Sequence, residues 1–225
     1  MSPDYRYEIK FVLDNAGLSD AMQWLYNNTT ANKMYENRKI NSIYFDNIDF
    51  SSVEDNLAGT PQRNKLRLRW YGHKENSLPF FEVKTKNGRL GYKTSYPIKS
   101  IGSDLSKLNI DKITSQCLKD IAKQDVVLDE HLVPTLKVSY EREYYETHNG
   151  IRITIDQDIQ FSDTQLYSML DENISIPYLF KVMEIKFAPD MKEEVAELIR
   201  SLYITPKRHS KYLIGLAMLG YVVYI

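Results

Sequence analysis

At 225 residues the chain is long enough for one large domain or two small ones. With 43% hydrophobic and 26% charged residues it has the composition of an ordinary globular protein rather than a disordered or fibrous one. A net charge of -1 and a pI of about 6.4 argue against a general basic surface for nucleic acid, so any cationic site must be concentrated locally and offset elsewhere.

Cys117 is the only cysteine, which excludes an intrachain disulfide and a Cys-based zinc site. The four histidines, His73, His131, His148 and His209, show no metal-ligand spacing. This cysteine usage fits a reducing, cytoplasmic setting, and "MSPDYRYEIKF" has no apolar signal core.

In chain order, "YRYEIKFVL" alternates as a strand, and "LSDAMQWLYNN" follows as an amphipathic helix with Ser19 as its cap. "RKINSIYFDN" reads as a second strand, and "FSSVEDNLAG" as a short helix ending at Gly59. "NKLRLRWYG", "PFFEVKTKN" and "RLGYKTSYPI" are three more strands, the last two joined by an Asn87-Gly88 hairpin turn. Ser103 to Gln124 has helical spacing. "PTLKVSYEREYYET", "GIRITIDQDIQF" and "YLFKVMEIKF" are strands, and "APDMKEEVAELIRSL" is a helix with an Asp190–Glu193 capping box. "SKYLIGLAMLG" is helical, and the apolar run from Tyr212 to Ile225, too short to span a bilayer, is read as a buried helix and strand. The expected fold is α+β: a single domain over residues 1–225, with an eight-stranded antiparallel β-barrel and helices packed around it.

The strands share one peculiarity. Alternate positions collect charge: Arg6, Glu8 and Lys10; Lys65, Arg67 and Arg69; Glu82, Lys84 and Lys86; Lys93; Arg142; Arg152, Thr154 and Asp156; Glu184 and Lys186. For a single strand, such a face normally turns to water. Repetition favours the opposite orientation. Glu-x-Lys occurs three times, at 8–10, 82–84 and 184–186, and "KLRLR" carries one sign only. If the apolar faces pack under helices, the cations point into a lumen, where they repel one another unless a polyanion occupies it. Arg would give bidentate phosphate contacts and Lys point charges.

Several residues keep two readings. Tyr140, Tyr144 and Tyr145 are barrel wall or a stacking surface for a base. Asp156 and Asp158 are further metal ligands or members of salt bridges. Glu8 and Glu82 pair with neighbouring lysines, and the lone His209 reads as a surface residue.

The ordered fragments "RYEIKF", "KLRLRWYG", "FEVKTK", "YEREYY", "RITIDQDIQF", "VMEIKF" and "SKY" resemble the triphosphate tunnel metalloenzymes, more closely their VTC branch, the polyphosphate polymerase domain. The resemblance covers Tyr5 to Tyr212. It implies that Lys10, Arg67, Arg69, Arg142 and Arg152 contact phosphates, with Lys211 closing from a C-terminal helix. Lys65, Lys84, Lys93 and Lys186 would bind substrate, and Lys207 and Arg208 would assist. Glu184 matches a glutamate that holds Mn²⁺ or Mg²⁺. The hydrolase branch resembles Glu-x-Glu-x-Lys on its first strand, where this chain has Arg6-x-Glu8-x-Lys10. The implied activity is therefore transfer of the γ-phosphoryl of ATP to a growing polyphosphate. A triphosphate hydrolase and a non-catalytic polyphosphate or nucleotide sensor stand as alternatives. ATP and polyphosphate are the expected partners, without nucleic acid. A membrane-protein partner would not be visible in the sequence. No extra N-terminal regulatory domain or membrane span is recognisable, which suggests a stand-alone version.

Overall fold

Nine strands form one antiparallel sheet in a computed structural model that describes residues 4–72, 78–102, 105, 108–124, 126, 128, 131–170 and 172–223. The elements are β1 (Tyr7–Leu13), α1 (Asn15–Asn28), β2 (Asn32–Asp46), α2 (Ser51–Ala58), β3 (Gln62–Tyr71), β4 (Phe80–Asn87) and β5 (Leu90–Pro97). They continue with α3 (Ile110–Ala122), β6 (Val133–Glu146), β7 (Arg152–Ser162), β8 (Ser175–Pro177), β9 (Lys181–Phe187), α4 (Lys192–Ile199) and α5 (Lys211–Met218). The strand order is β1-β9-β7-β6-β2-β3-β4-β5, with the short β8 beside β7. The two edges meet at a single antiparallel bridge, where Arg6 and Gly91 exchange backbone hydrogen bonds of 3.0 and 3.1 Å. A T-shaped Tyr5–Tyr92 ring pair and the Lys84–Glu8 ion pair reinforce this seam, so the sheet curls into a barrel.

Parity decides what each face does. Leu68 and Trp70 of β3 are buried with Phe81 beneath α3, in a cluster that includes Ile113, Cys117 and Ile121. Ile153, Ile155, Met183 and Ile185 pack under α1 and α4 with Trp24, Leu25 and Val195. The opposite parity, Lys65, Arg67 and Arg69 included, faces the interior. Burial of such apolar area, at about 25 cal/mol per Å², is what drives the cationic parity inward.

The helices do not all lie outside. Leu136 and Val138 share the inner parity of Tyr140 and Arg142, and they pack with Leu213 and Leu216 of α5. Part of the inner face is therefore apolar and covered by α5, and the cations occupy the rest. Gly215 permits this approach, because a Cβ there would sit 2.6 Å from Leu136 and 2.7 Å from Phe161. Tyr212 locks the helix by donating to Asp46 at 2.7 Å and accepting from Thr135 at 3.1 Å.

Local details differ from expectation. Asp14, not Ser19, caps α1: its carboxylate accepts from the Gly17 N–H at 2.7 Å. Asp190 sits inside a 3-10 turn, Pro189–Met191, so the capping box does not form. The β4–β5 turn is centred on Gly88-Arg89, with Gly88 at φ 59° and Asn87 the last strand residue. No strand follows α5 in the described residues, and Tyr224 and Ile225 lie outside them. Ser103, Asp104, Ser106 and Lys107 of the expected helical stretch, and His73, lie outside them too. Among the described residues no helix is long and apolar enough to cross a membrane.

Candidate active site in the barrel lumen

Ten of the residues lining the chamber at the α5 end are Lys or Arg, against two glutamates, Glu8 and Glu184. A second chamber opens at the opposite end and shares Glu8, Arg67, Arg69, Lys84, Arg142 and Lys186 with the first, so the two are halves of one passage.

Each carboxylate in this field is saturated by cations. Glu8 accepts from Lys84 at 2.6 and 2.9 Å. Glu184 lies 3.1 Å from Lys186, 3.5 Å from Lys10 and 3.9 Å from Arg142. Glu82 receives Arg67 at 2.7 Å and Lys93 at 2.6 Å. Asp156, fully buried, takes both Arg142 (2.5 and 2.7 Å) and Lys211 (2.5 Å). Burial alone would raise these acids, but the adjacent cations outweigh it and hold all four below the ordinary carboxylate range.

The cations answer in kind. Burial works against charge on Lys10, yet Glu184 and Glu8 raise it above the normal lysine value. Lys84 and Lys186 fall below it, because burial and neighbouring cations outweigh their glutamates. Lys65 has no carboxylate within ion-pair distance among the described residues; its ammonium donates to Ser210 Oγ at 2.7 Å. Burial, then Lys10, Lys84 and Arg63, push it down to about 7. The arginines are braced by hydroxyls: Arg67 donates to Tyr44 at 3.2 Å, and Arg69 to Ser42 and Tyr140 at 3.2 and 3.1 Å.

The segment before α5 is tied to β1. Lys207 N–H donates to the Lys10 carbonyl at 2.9 Å, and Lys10 Nζ donates to the His209 carbonyl at 3.1 Å. Ser210 caps α5 through the Leu213 N–H, which sends Lys211 into the lumen.

Nine expected site residues therefore line the chamber beside α5: Lys10, Lys65, Arg67, Arg69, Lys84, Arg142, Glu184, Lys186 and Lys211. The structure does not bring Arg152 and Lys93 into this group. Both sit in the opposite opening, where the Arg152 side chain is 50% exposed and bonds Glu146 at 3.2 Å. Lys207 and Arg208 are exposed and line neither chamber. Asp156 belongs to a salt bridge rather than to an open metal site, and Asp158 lies on the exposed side at φ 50°. His209 departs from its surface reading. It is 7% exposed, lines the lumen and has no hydrogen-bond partner on either ring nitrogen. Burial and the nearby Lys211 and Lys10 lower it to about 3, so it is neutral at pH 7. Sequence reasoning missed Arg63, two residues before Lys65 on the same parity, and Tyr44, which lies on β2 opposite Arg67. The β3 alternation, extended by one step, finds the first; only the register finds the second.

A family model for the VTC domain matches residues 5–220. The chain belongs to the VTC domain family. Subunit 4 of the vacuolar transporter chaperone complex of Schizosaccharomyces pombe is 25% identical over 234 residues, an alignment covering 83% of this chain and 32% of that protein. The VTC chain thus spans about a third of that relative's length. In fold it is similar to PH1819 of Pyrococcus horikoshii, with TM-score 0.56, 16% identity and coverage of 95% of this chain and 99% of the other. It is also similar to HpAC1 of Hippeastrum, for which a dominant triphosphatase activity is described, with TM-score 0.54, 11% identity and 97% coverage of both chains. These neighbours share the triphosphate-tunnel fold, and the barrel described above is that fold.

Proposed function

We propose that this VTC domain is a polyphosphate polymerase that moves the γ-phosphoryl of ATP onto the end of a phosphate chain inside the lumen. The observation that carries the reading is the excess of lysine and arginine over carboxylate in an enclosed passage open at both ends. Such a field is stabilised by a linear polyanion threaded through it. The 25% identity to a vacuolar transporter chaperone subunit supports the same reading.

The reaction needs no covalent nucleophile. A terminal phosphate oxygen of the acceptor, anionic at neutral pH, attacks the γ-phosphorus; the bond from that phosphorus to the β–γ bridging oxygen breaks, and ADP leaves with the electron pair. The protein's task is positioning and neutralisation. Arg67, Arg69 and Arg142 hold the transferring group, and Lys211 approaches it from α5. Lys10, Lys65, Lys84 and Lys186 line the path of the chain. Arg152 and Lys93 guide substrate at the far opening. Asp156 and Glu82 act through Arg142, Lys211 and Arg67 as positioning residues.

A divalent cation, Mn²⁺ or Mg²⁺, fits Glu184 in donor chemistry, with Glu8 facing the same lumen. Among the described residues no three acidic, histidine or cysteine side chains are placed to hold a metal ion together, so phosphate oxygens would complete the shell. When bound, the ion supplies charge neutralisation on the donor phosphates. Few carboxylates, together with Arg6 in place of a first glutamate, disfavour the hydrolase reading.

The test is incubation of the purified chain with ATP and Mn²⁺. Long-chain polyphosphate and ADP are expected, with both reduced in Lys10→Ala. Orthophosphate without polymer would assign a hydrolase, and binding without turnover a sensor; either result overturns the polymerase reading.

A further inference from the structure

The two openings of the passage differ in chemistry. Beside α5 the rim carries Arg63, Lys65, Lys86 and Ser210. The opposite rim also carries cations, Arg6, Lys93 and Arg152, but there they alternate with Asp4 and Glu146 and with four tyrosines, Tyr35, Tyr71, Tyr92 and Tyr144.

Tyr35 belongs to none of the buried clusters. β2 pairs with β3 only from Ile40, opposite Tyr71, whereas its pairing with β6 runs out to Asn32, opposite Glu146. Residues 32–39 therefore form an exposed overhang past the end of β3, and Tyr35 is 51% exposed on it. The register slips on both sides of Tyr35, before it from Lys33 and after it towards Arg38. Irregularities of this kind re-aim a side chain. Here they set the Tyr35 ring edge-on to Tyr144, with centroids 5.7 Å apart at 89°. The Arg38 guanidinium lies 4.8 Å from the Tyr35 centroid and 5.8 Å from that of Tyr144. The result is an exposed aromatic platform with a cation fixed beside it, at the mouth of an anion passage.

We infer that this mouth receives the base of a nucleoside triphosphate, stacked on a face of Tyr35 with Tyr144 edge-on beside it, while the triphosphate runs inward to Arg142, Arg69 and Arg67. The inference rests on the proposed function, since it takes a nucleotide as the donor. The spacing suits it: Arg142 stands two residues along β6 from Tyr144, about 7 Å, and a ribose separates base from phosphate in the nucleotide. Stacking on a tyrosine is tolerant of base identity, so purine triphosphates are accepted alike. The arrangement also gives the passage a direction. The donor enters at the tyrosine mouth, and the phosphate chain leaves past Lys65 and Ser210.

Calorimetric titration of the full chain with ATP and with inorganic tripolyphosphate tests this. Tyr35→Ala is expected to weaken ATP by about tenfold and to leave tripolyphosphate unchanged, with Tyr35→Phe restoring ATP. Equal losses for both ligands, or no loss for ATP, overturn the inference; the second result would assign the tyrosines to a protein contact instead. A wild-type chain that binds tripolyphosphate no more weakly than ATP also overturns it while leaving the anion passage intact. Failure to bind tripolyphosphate at all would sink the passage reading, and the inference with it.

Discussion

Lys65 and Ser210 meet at 2.7 Å across the lumen, so this lysine is held by a hydroxyl where its neighbours are held by glutamates. The contact joins β3 to the cap of α5, and it leaves the lysine's charge uncompensated.

Proton uptake on binding follows from that contact. Lys65 sits at about 7 in the folded protein, below its ordinary value of 10.5. Between these values the unfolded chain holds the extra proton, so the lysine's cost to stability is greatest below pH 7 and is relieved as pH rises through the window. A polyanion beside it favours the ammonium form. At pH 8, titration of tripolyphosphate in two buffers of different ionisation enthalpy should show uptake that Lys65→Met lacks. Equal uptake by both proteins would rule out Lys65 as its source.

Asp156→Asn removes the carboxylate shared by Arg142 and Lys211. Breaking a buried pair from one side typically costs about 3–5 kcal/mol. The melting temperature of the ligand-free variant should fall. Tripolyphosphate, by supplying the missing negative charge, should recover more of that loss than it adds to the wild type. Thermal scans with and without ligand measure both effects, and an equal ligand-induced rise in the two proteins would argue against the positioning role.

Gly215→Ala should be destabilising by about 1–3 kcal/mol, because the new methyl overpacks against Leu136 and Phe161. Any relief moves α5 outward and carries Ser210 and Lys211 with it. Denaturant unfolding should therefore show lower stability, and titration weaker tripolyphosphate binding. A variant of wild-type stability would mean that the β-sheet side chains yield freely.

Arg69 and Arg152 should separate sharply. Arg69 is 5% exposed and braced by Ser42 and Tyr140, whereas half of the Arg152 side chain is in water beside Glu146. Arg69→Ala should weaken tripolyphosphate by about tenfold or more, as expected for a buried charged hydrogen bond. Arg152→Ala should cost about threefold or less, since exposed ion pairs contribute little. Similar losses in the two titrations would place Arg152 deeper in function than its position implies.

Much of the site was legible one strand at a time. "KLRLRWY" announces two faces, and the structure places Leu68 and Trp70 under α3 and the three cations in the lumen. That parity is a local property of an extended backbone, so it survives any fold. Arg152 shows the limit of that reasoning: it lines the passage, but at the far opening, because parity says which face a residue is on, not how far along the barrel it lies. Depth comes from strand register, which sets Arg152 opposite Lys186 and Asp156 opposite Arg142. His209, read as a surface residue, is buried because the segment before α5 is tied to β1, a contact between residues 199 positions apart.

The sequence by itself determined the strands, their charged and apolar faces and the identity of most lumen cations, because alternation and hydrophobic burial act over a few residues. Only the tertiary structure decided which cation meets which acid, that α5 covers an apolar part of the inner face, and that tyrosines gather at one mouth of the passage. Those outcomes depend on sheet register and closure, which bring together residues whose separation along the chain carries no signal of their meeting.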